Sequence, residues 1–407
     1  MFAEVAPFST RTIRLLEGDL FAFTADADGR WVDWPNLYCV AQLRPTGIGL
    51  ATMTAKMNAV CQLHNWCASC GIDLRARVES LDLFSMEEIA GLRKELRVNL
   101  LTRPKKRIKG GARKAKRGVV GNSQWRSRCA DVRDYVVWHA DHAIQRMSSR
   151  DERLQEASKR LKEFRARIMA KIRVHRKGPK EGLEKAGQAA LLDALTPGHP
   201  TNPFAERHQV RNQALWLSYF DGGIRLGEAL VVKCADLHLH GANPKLNVYR
   251  SPDDPDDPRA VEPRTKTLPH PVPLTNRCAR ALHTYVTQHR PRQRGAKRSA
   301  YVFFSQQGKP LSVSSVAYMY RRLRAKVPSL PADFSTHILR YTWNDRFGDA
   351  AEGAGISDDQ ERSIRNLHQG WTPHSAQGQQ YQSRRLRRRA GEISLRMQDR
   401  ATGGPAE

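Results

Sequence analysis

Long apolar runs are missing from this sequence, and so are the cysteine patterns of disulfide-rich and zinc-binding domains. No run of about 18 apolar residues occurs, so we expect no transmembrane helix. The seven cysteines are odd in number and scattered, which argues against a disulfide framework and for a reducing interior. The one CxxC, formed by Cys67 and Cys70, lacks a second ligand pair at finger spacing. We therefore interpret the thiols as buried side chains and not as zinc ligands.

Positive charge is what the sequence has in excess. Its 68 Lys and Arg residues outnumber 41 Asp and Glu residues, for a formal net charge of +27. A surface this basic favours a polyanionic partner, and nucleic acid is the commonest one. The alternative is a basic protein with no nucleic-acid role. With 407 residues, of which 40% are hydrophobic, the chain is long enough for two or three globular domains.

Hydrophobic periodicity divides the chain into regions of different character. We predict an amino-terminal arm or cap at 1–48, a helical region at 49–178, a region of helices and short strands at 183–395, and a tail at 396–407. The amino terminus lacks the basic start and apolar stretch of a signal peptide. The acidic stretch SPDDPDDP, residues 251–258, is predicted to be an exposed loop.

A basic block, RPKKRIKGGARKAKRG at 103–118, interrupts the helical region. It holds nine Lys or Arg residues and no acid, so it cannot bury a core and is predicted to be a tether or loop. It is either a solvated linker or an arm that lies along DNA phosphates. The side chains that would contact DNA are Lys105, Lys106, Arg107, Lys109, Arg113 and Lys114.

Four motifs within 183–395 contain candidate reactive side chains. They are GIRLGEAL with Arg225 and Glu228, RTKTLPHPVPL with Lys266 on a predicted hairpin, HILR with His337 and Arg340 on one helix face, and NLHQGWTPHSAQGQQY with His368, Trp371 and Tyr381. Each motif alone indicates little, because an ion pair three residues apart or a lysine on a hairpin is usual on protein surfaces. Their order along the chain is the informative feature.

This order resembles the catalytic set of the tyrosine recombinases, the phage integrase family, over about residues 206–385. Trp371 precedes Tyr381 by ten positions, close to the family spacing, and His368 is the alternative for the same catalytic position. One departure is Ile338, because the residue after the catalytic histidine is usually polar in the family. The resemblance implies a mainly α fold with a small antiparallel β-sheet, in which helical core-binding domains precede an α+β catalytic domain.

The resemblance also implies a chemistry. Tyr381 would attack a DNA phosphate and form a 3′-phosphotyrosyl link, while Arg225 and Arg340 clamp the nonbridging oxygens. Lys266 would be the general acid and His337 the base. Trp371 would donate its indole N–H or pack against the phosphate.

Glu228 would orient a neighbouring group. The covalent link conserves the bond energy, so we expect no cofactor, neither ATP nor a metal. This agrees with the lack of a GxxxxGK[ST] loop and of a paired-carboxylate cluster in the sequence.

A site-specific recombinase or integrase of a mobile genetic element is the function that this resemblance implies. Its expected partners are double-stranded DNA and further copies of the chain, four in the synapse, and they could include an accessory recombinase or a DNA-bending protein. We expect no membrane partner and a place in the bacterial cytoplasm, at the nucleoid. Two alternatives stay open: a catalytically silent architectural DNA-binding protein, and an enzyme similar to type IB topoisomerases or hairpin-resolving enzymes.

Overall fold

Two compact units, Met1–Lys177 and Gly178–Glu407, make up the chain in a computed structural model. The structure describes residues 7–15, 19–100, 118–148, 150–174, 178, 180–249, 254–259, 262–263, 265–381 and 383–401. Within these residues, no helix is both long and apolar enough to cross a lipid bilayer. The six basic residues predicted to contact DNA, from Lys105 to Lys114, lie outside the described residues.

The first unit packs a β-hairpin against a helical core. Its elements are β1 (Ser9–Arg14), β2 (Leu20–Ala25), α1 (Asp33–Tyr38), α2 (Leu50–Ser69), α3 (Leu74–Glu79), α4 (Met86–Leu96), α5 (Asn122–Gln145) and α6 (Arg153–Met169). The two strands pair antiparallel, with Ser9 opposite Ala25. Phe21 and Ala22 of β2 share one hydrophobic core with α2, α5 and α6, so the hairpin is packed on the helices.

Local sequence explains where these helices begin and end. Ser85 caps α4, since its hydroxyl accepts from the Glu88 backbone N–H while the Glu88 carboxylate accepts from the Ser85 N–H. Gly71, with a φ of 67°, follows the end of α2. Cys67 is buried and Cys70 is exposed, and both are free thiols.

The second unit surrounds a small antiparallel sheet with helices. Its elements are α7 (Lys185–Leu195), α8 (Glu206–Gly222), α9 (Leu226–Val231), β3 (Leu237–His238), β4 (Lys245–Val248), β5 (His270–Pro273), α10 (Asn276–Thr284), α11 (Val313–Lys326), α12 (Thr336–Gly353), α13 (Asp358–His368) and α14 (Ser383–Ala401). The strand order is β3-β4-β5, and Leu246 pairs with both Leu237 and Val272. Trp216 of α8 stacks on Phe334 at 5.8 Å in the core. The predicted fold class, mainly α with a small antiparallel sheet, is confirmed.

The prediction that the acidic stretch SPDDPDDP is an exposed loop is wrong for two of its described residues, Asp254 and Asp257, whereas Pro255, Asp256 and Pro258 are exposed. Asp254 and Asp257 are 8% and 2% exposed. Asp254 accepts from the Tyr301 hydroxyl at 2.9 Å, and Asp257 pairs with Arg259 at 2.7 Å. Because each of these two carboxylates has a buried cationic or hydroxyl partner, both side chains are withdrawn from solvent, while Asp256 between them stays exposed.

Candidate active site

Arg225 lies at a sharp turn between α8 and α9. Gly223 ends α8 with a φ of 64°, and a Cβ there would lie 2.6 Å from the Trp343 ring. Only glycine allows both this backbone conformation and this close approach. Arg225 then caps α9, and its side chain is 21% exposed. The turn therefore presents a guanidinium group at the surface on a rigid base.

Glu228 fixes that guanidinium group from beneath. Its side chain has no exposed surface, and it accepts from the Arg225 backbone N–H at 2.7 Å and from Arg225 Nη1 at 3.0 Å. The Thr267 hydroxyl donates a third bond at 2.8 Å. Burial alone would raise the pKa of Glu228, but the charges of Arg340 and Arg225 and these hydrogen bonds hold that pKa below its ordinary value. The carboxylate is therefore ionised, and it connects Arg225 to the residue that follows Lys266.

Arg340 is buried, with unused hydrogen-bond donors. It is 2% exposed, and its Nη1 donates to the Gly223 carbonyl at 2.7 Å. Its Nε and Nη2 atoms have no hydrogen-bond partner among the described residues. Burial lowers the pKa of Arg340 to about 10, and the Arg225 charge acts in the same direction, so the group stays charged at neutral pH. Buried donors without partners are costly, and an anion bound against Arg340 would satisfy them.

Tyr381 ends a short 3₁₀ turn, Gln377–Tyr381, directly beside this arginine. Its ring stacks on Trp371 with centroids 5.7 Å apart, and the Tyr341 ring lies at 4.6 Å. The Arg340 guanidinium carbon is 5.2 Å from the Trp371 centroid and 5.9 Å from the Tyr381 centroid. Trp371 is 6% exposed, and its Nε1 has no hydrogen-bond partner among the described residues. A phenol, an indole N–H and a guanidinium group thus meet at one place.

A cavity of about 510 Å³ opens at this place. Arg225, Lys266, Trp371 and Tyr381 all line it. Lys266 is exposed and precedes β5 in a segment without regular structure, so the hairpin predicted around it is reduced to the β4–β5 connection. The cavity wall brings together an arginine, a lysine, a tryptophan and a tyrosine from three separate stretches of the chain.

His337 lies on α12, three residues before Arg340, with an exposed side chain. It does not line the cavity. Partial desolvation lowers the pKa of His337, and the positive charges of Arg340, Lys180 and Arg225 lower it further. Its imidazole is therefore neutral at pH 7, which is the form that accepts a proton.

His368, the alternative to Trp371, occupies a different environment. Its ring stacks on Trp343 at 4.3 Å with an interplanar angle of 5°, and Nε2 donates to the Gly222 carbonyl at 3.2 Å. Burial lowers the pKa of His368 to about 4. Trp371 lines the cavity and His368 does not. Which of the two side chains acts in catalysis stays a prediction.

Four residues that the sequence did not single out complete the site. They are Thr267, Gly370, Gln377 and Tyr341. Gln377 Oε1 accepts from Arg225 Nη2 at 3.5 Å. Gly370 has a φ of 61°, and a Cβ there would lie 2.3 Å from His270 Nδ1. The one sequence signal that could have identified any of them is the HQGW glycine between His368 and Trp371, since a glycine after a helix favours left-handed backbone.

Residues 190–350 match the phage integrase family. This range contains Arg225, Lys266, His337 and Arg340, and it ends before Trp371 and Tyr381. No curated protein matches the chain.

Among solved structures, the XerH site-specific recombinase bound to difH substrate in a pre-cleavage complex is 12% identical. That match covers 86% of this chain and 82% of XerH, with a TM-score of 0.52. A post-cleavage complex of XerH with palindromic difH substrate is 13% identical, covers 87% and 85%, and has a TM-score of 0.51. At such identities the likeness shows the fold. The second unit therefore contains a domain that matches the phage integrase family, within a fold that the XerH site-specific recombinase shares.

Proposed function

We propose that the protein is a site-specific DNA recombinase that cleaves and rejoins strands through a 3′-phosphotyrosyl intermediate at Tyr381. The observation that carries this proposal is the cavity that Arg225, Lys266, Trp371 and Tyr381 line, with the buried Arg340 guanidinium group beside the rings of Trp371 and Tyr381. The family match supports the same reaction class. XerH, which shares the fold, is a site-specific recombinase bound to its difH substrate in a post-cleavage complex, and by analogy we propose a DNA phosphodiester as the substrate here.

The arginines bind the phosphate in this proposal. Arg340 offers Nε and Nη2, which have no partner among the described residues, and the Arg225 guanidinium carbon lies 5.9 Å from the Trp371 ring centroid. Two guanidinium groups match the nonbridging oxygens of a phosphodiester, and they oppose the charge that accumulates as phosphorus becomes five-coordinate. The Trp371 indole N–H is a further donor toward the same group.

In the covalent step, one phosphorus–oxygen bond forms and one breaks. The Tyr381 hydroxyl oxygen bonds to phosphorus and releases its proton to His337, directly or through water. The bond from phosphorus to the 5′ oxygen breaks, and Lys266 supplies the proton that this oxygen needs. The product is a 3′-phosphotyrosyl ester and a free 5′-hydroxyl. A 5′-hydroxyl from a second strand then attacks the ester, and the protons move in the reverse direction.

Strand exchange between two duplexes requires more than one copy of the chain. We propose four protomers on two DNA duplexes, in which each protomer supplies one Tyr381. That the chain serves a mobile element, and that an accessory recombinase or DNA-bending protein assists it, stay predictions from the sequence.

Trapping the covalent intermediate tests this function. The protein is incubated with random-sequence duplexes that carry a nick, so that the short 5′-hydroxyl fragment leaves and rejoining cannot occur. DNA that stays attached to protein in boiling detergent is then sequenced, and this identifies the preferred site. We expect an adduct from the wild type and none from Tyr381→Phe.

Tyr318→Phe is the matched control, because Tyr318 is 54% exposed on α11. It should form adduct as the wild type does. Equal adduct from Tyr381→Phe would exclude Tyr381 as the nucleophile. Relaxation of a supercoiled plasmid that lacks the selected site would instead indicate an activity of the topoisomerase kind.

A further inference from the structure

Two arginines share one buried carboxylate next to the turn that carries Tyr381. Glu361 of α13 accepts from Arg365 of the same helix through one oxygen and from Arg385 of α14 through the other. Side-chain exposures are 1% for Arg365 and Glu361 and 7% for Arg385. Arg365 also donates to the backbone and side-chain oxygens of Asn344 at 3.0 and 2.7 Å. This triad of Arg365, Glu361 and Arg385 therefore joins α12, α13 and α14.

Every charge of the triad has a partner of opposite sign. Burial alone would raise the pKa of Glu361, but the hydrogen bonds from Arg385 and Arg365 hold that pKa below its ordinary value. Arg385 has two further carboxylate partners, Asp358 at 3.1 Å and Glu352 at 3.6 Å. Two guanidinium groups thus face three carboxylates. Such an arrangement is rigid, because release of any member would leave an uncompensated charge in a buried place.

The 3₁₀ turn of Tyr381 lies directly on this triad. A Cβ at Gly378 within the turn would lie 3.2 Å from Arg365 Cδ and 3.5 Å from the Trp371 ring. Arg385 follows Tyr381 by four residues, so it fastens the chain immediately after the nucleophile. Before the turn, Asn366 Nδ2 donates to the carbonyls of Pro373 and Ser375 at 2.9 and 3.2 Å. Both ends of the Tyr381 segment are therefore held by residues in or adjoining the triad.

We propose that the Arg365–Glu361–Arg385 triad sets the position of the Tyr381 hydroxyl for in-line attack on the phosphate. This inference rests on the proposed function, and it makes the three residues positioning residues that do not touch DNA. A single 3₁₀ turn has poorer hydrogen-bond geometry than an α-helix and little rigidity of its own. The triad supplies that rigidity from beneath, as Glu228 does for Arg225.

Arg385→Gln is the decisive variant, since it leaves the Arg365–Glu361 pair and the Arg365–Asn344 bonds in place. We expect adduct formation at saturating DNA to slow by roughly a hundredfold, the loss that an error of about 1 Å in a reacting group can cause. The DNA concentration at half-saturation should not change. Arg388→Gln is the matched control, because Arg388 lies on the same helix with 49% of its side chain exposed, and it should react as the wild type does.

Hydroperoxide separates misplacement of the tyrosine from collapse of the site. Its anion can attack phosphorus in place of the phenol and release the 5′ oxygen, which still takes its proton from Lys266. This peroxide reaction requires the arginines that bind the phosphate, but it does not require a correctly positioned Tyr381. We expect Arg385→Gln to support peroxide-driven cleavage as fast as Tyr381→Phe does, although it forms little adduct.

Each of the other possible results would contradict the proposal. If Arg385→Gln loses the peroxide reaction too, the triad maintains the whole site and the positioning role is refuted. If it forms adduct at the wild-type rate, the triad does not position Tyr381. A wild-type protein that forms no adduct would overturn the proposed function and this inference together.

Discussion

The backbone N–H of Leu268 donates to the Gly370 carbonyl at 2.9 Å, and this bond fastens the segment of Lys266 to the segment of Trp371. Lys266 is separated from Leu268 by one residue, and Trp371 directly follows Gly370. Both side chains line the cavity, although they are more than 100 positions apart in the chain. This close backbone approach thus helps to align Lys266, the proposed general acid, with Trp371 at the proposed phosphate site. Gly370 permits that approach because it has no side chain.

Gly370→Ala should therefore slow catalysis more than the addition of one methyl group would suggest. The new Cβ would lie 2.3 Å from His270 Nδ1 and 2.7 Å from the Leu268 carbonyl oxygen, in left-handed backbone. We expect the rate of adduct formation to fall at least tenfold, with about 1–3 kcal/mol lost from the free energy of unfolding through backbone strain. Gly391→Ala is the control: nothing lies within 4 Å of a Cβ there. It lies within α14, so alanine should leave activity unchanged and should not destabilise the protein.

Trp371 and His368 can be told apart by two substitutions that keep an aromatic ring. Trp371→Phe removes the indole N–H, and loss of one donor to the developing charge should slow cleavage by about a hundredfold. His368→Phe keeps the stack on Trp343 and removes only the bond to the Gly222 carbonyl, which should cost about 1 kcal/mol of stability and little rate. Single-turnover cleavage and thermal unfolding measure the two effects. A larger rate loss in His368→Phe would reverse the assignment.

Lys266 can be tested through the leaving group. Lys266→Ala should slow cleavage of ordinary DNA by roughly a hundredfold or more, the usual contribution of a general acid. A substrate with sulfur in place of the bridging 5′ oxygen releases a thiolate, which needs no proton. On that substrate the variant should match the wild type.

Lys309→Ala, which removes another exposed lysine, serves as the control with both substrates. A defect of Lys266→Ala that persists with the sulfur substrate would show that Lys266 binds the phosphate and does not donate a proton.

Protonation of His337 should cause the cleavage rate to fall at low pH. Desolvation and then the charges of Arg340, Lys180 and Arg225 lower the pKa of His337, so the neutral base persists below the ordinary histidine value of about 6.5. The rate should be level near pH 7 and should fall only as the pH drops below that value. Lys180→Met removes one positive charge, which favours the protonated ring and should move the fall to higher pH.

His337→Asn should lower the rate and abolish this fall. If the rate of His337→Asn still fell at the wild-type pH, another group would be the base. Lys180 pairs with Asp333 at 3.0 Å near the surface, so its substitution should leave the fold intact.

The sequence predicts those residues of the site that are recognisable from their order along the chain. Arg225, Lys266, Trp371 and Tyr381 were identified as a series, and the structure brings them to one cavity. Several helix starts were also predictable, since caps such as Ser85 act within three residues. The identity of each residue's role stays a prediction, because proximity does not establish a catalytic step.

What the sequence did not predict depends on contacts between distant residues. Asp254 of SPDDPDDP was predicted to be exposed, but its partners Tyr301 and Lys233, which are distant in sequence, hold it in a buried place. Arg389 and Arg385 of α14 likewise pair with acids on α12 and α13, more than twenty residues earlier in the chain, and the sequence does not reveal such pairs.

The most direct test of the central claim is the identity of the residue that carries DNA after cleavage. Trypsin would release Tyr381 in the fragment 366–384, in which it is the only tyrosine, and would release its neighbour Tyr341 in the fragment 341–346. The trapped adduct is digested with trypsin and nuclease, and the peptide that retains a nucleotide phosphate is identified by mass spectrometry. We predict the fragment 366–384, modified at Tyr381. A nucleotide on the fragment 341–346, or on any residue other than Tyr381, would contradict the account.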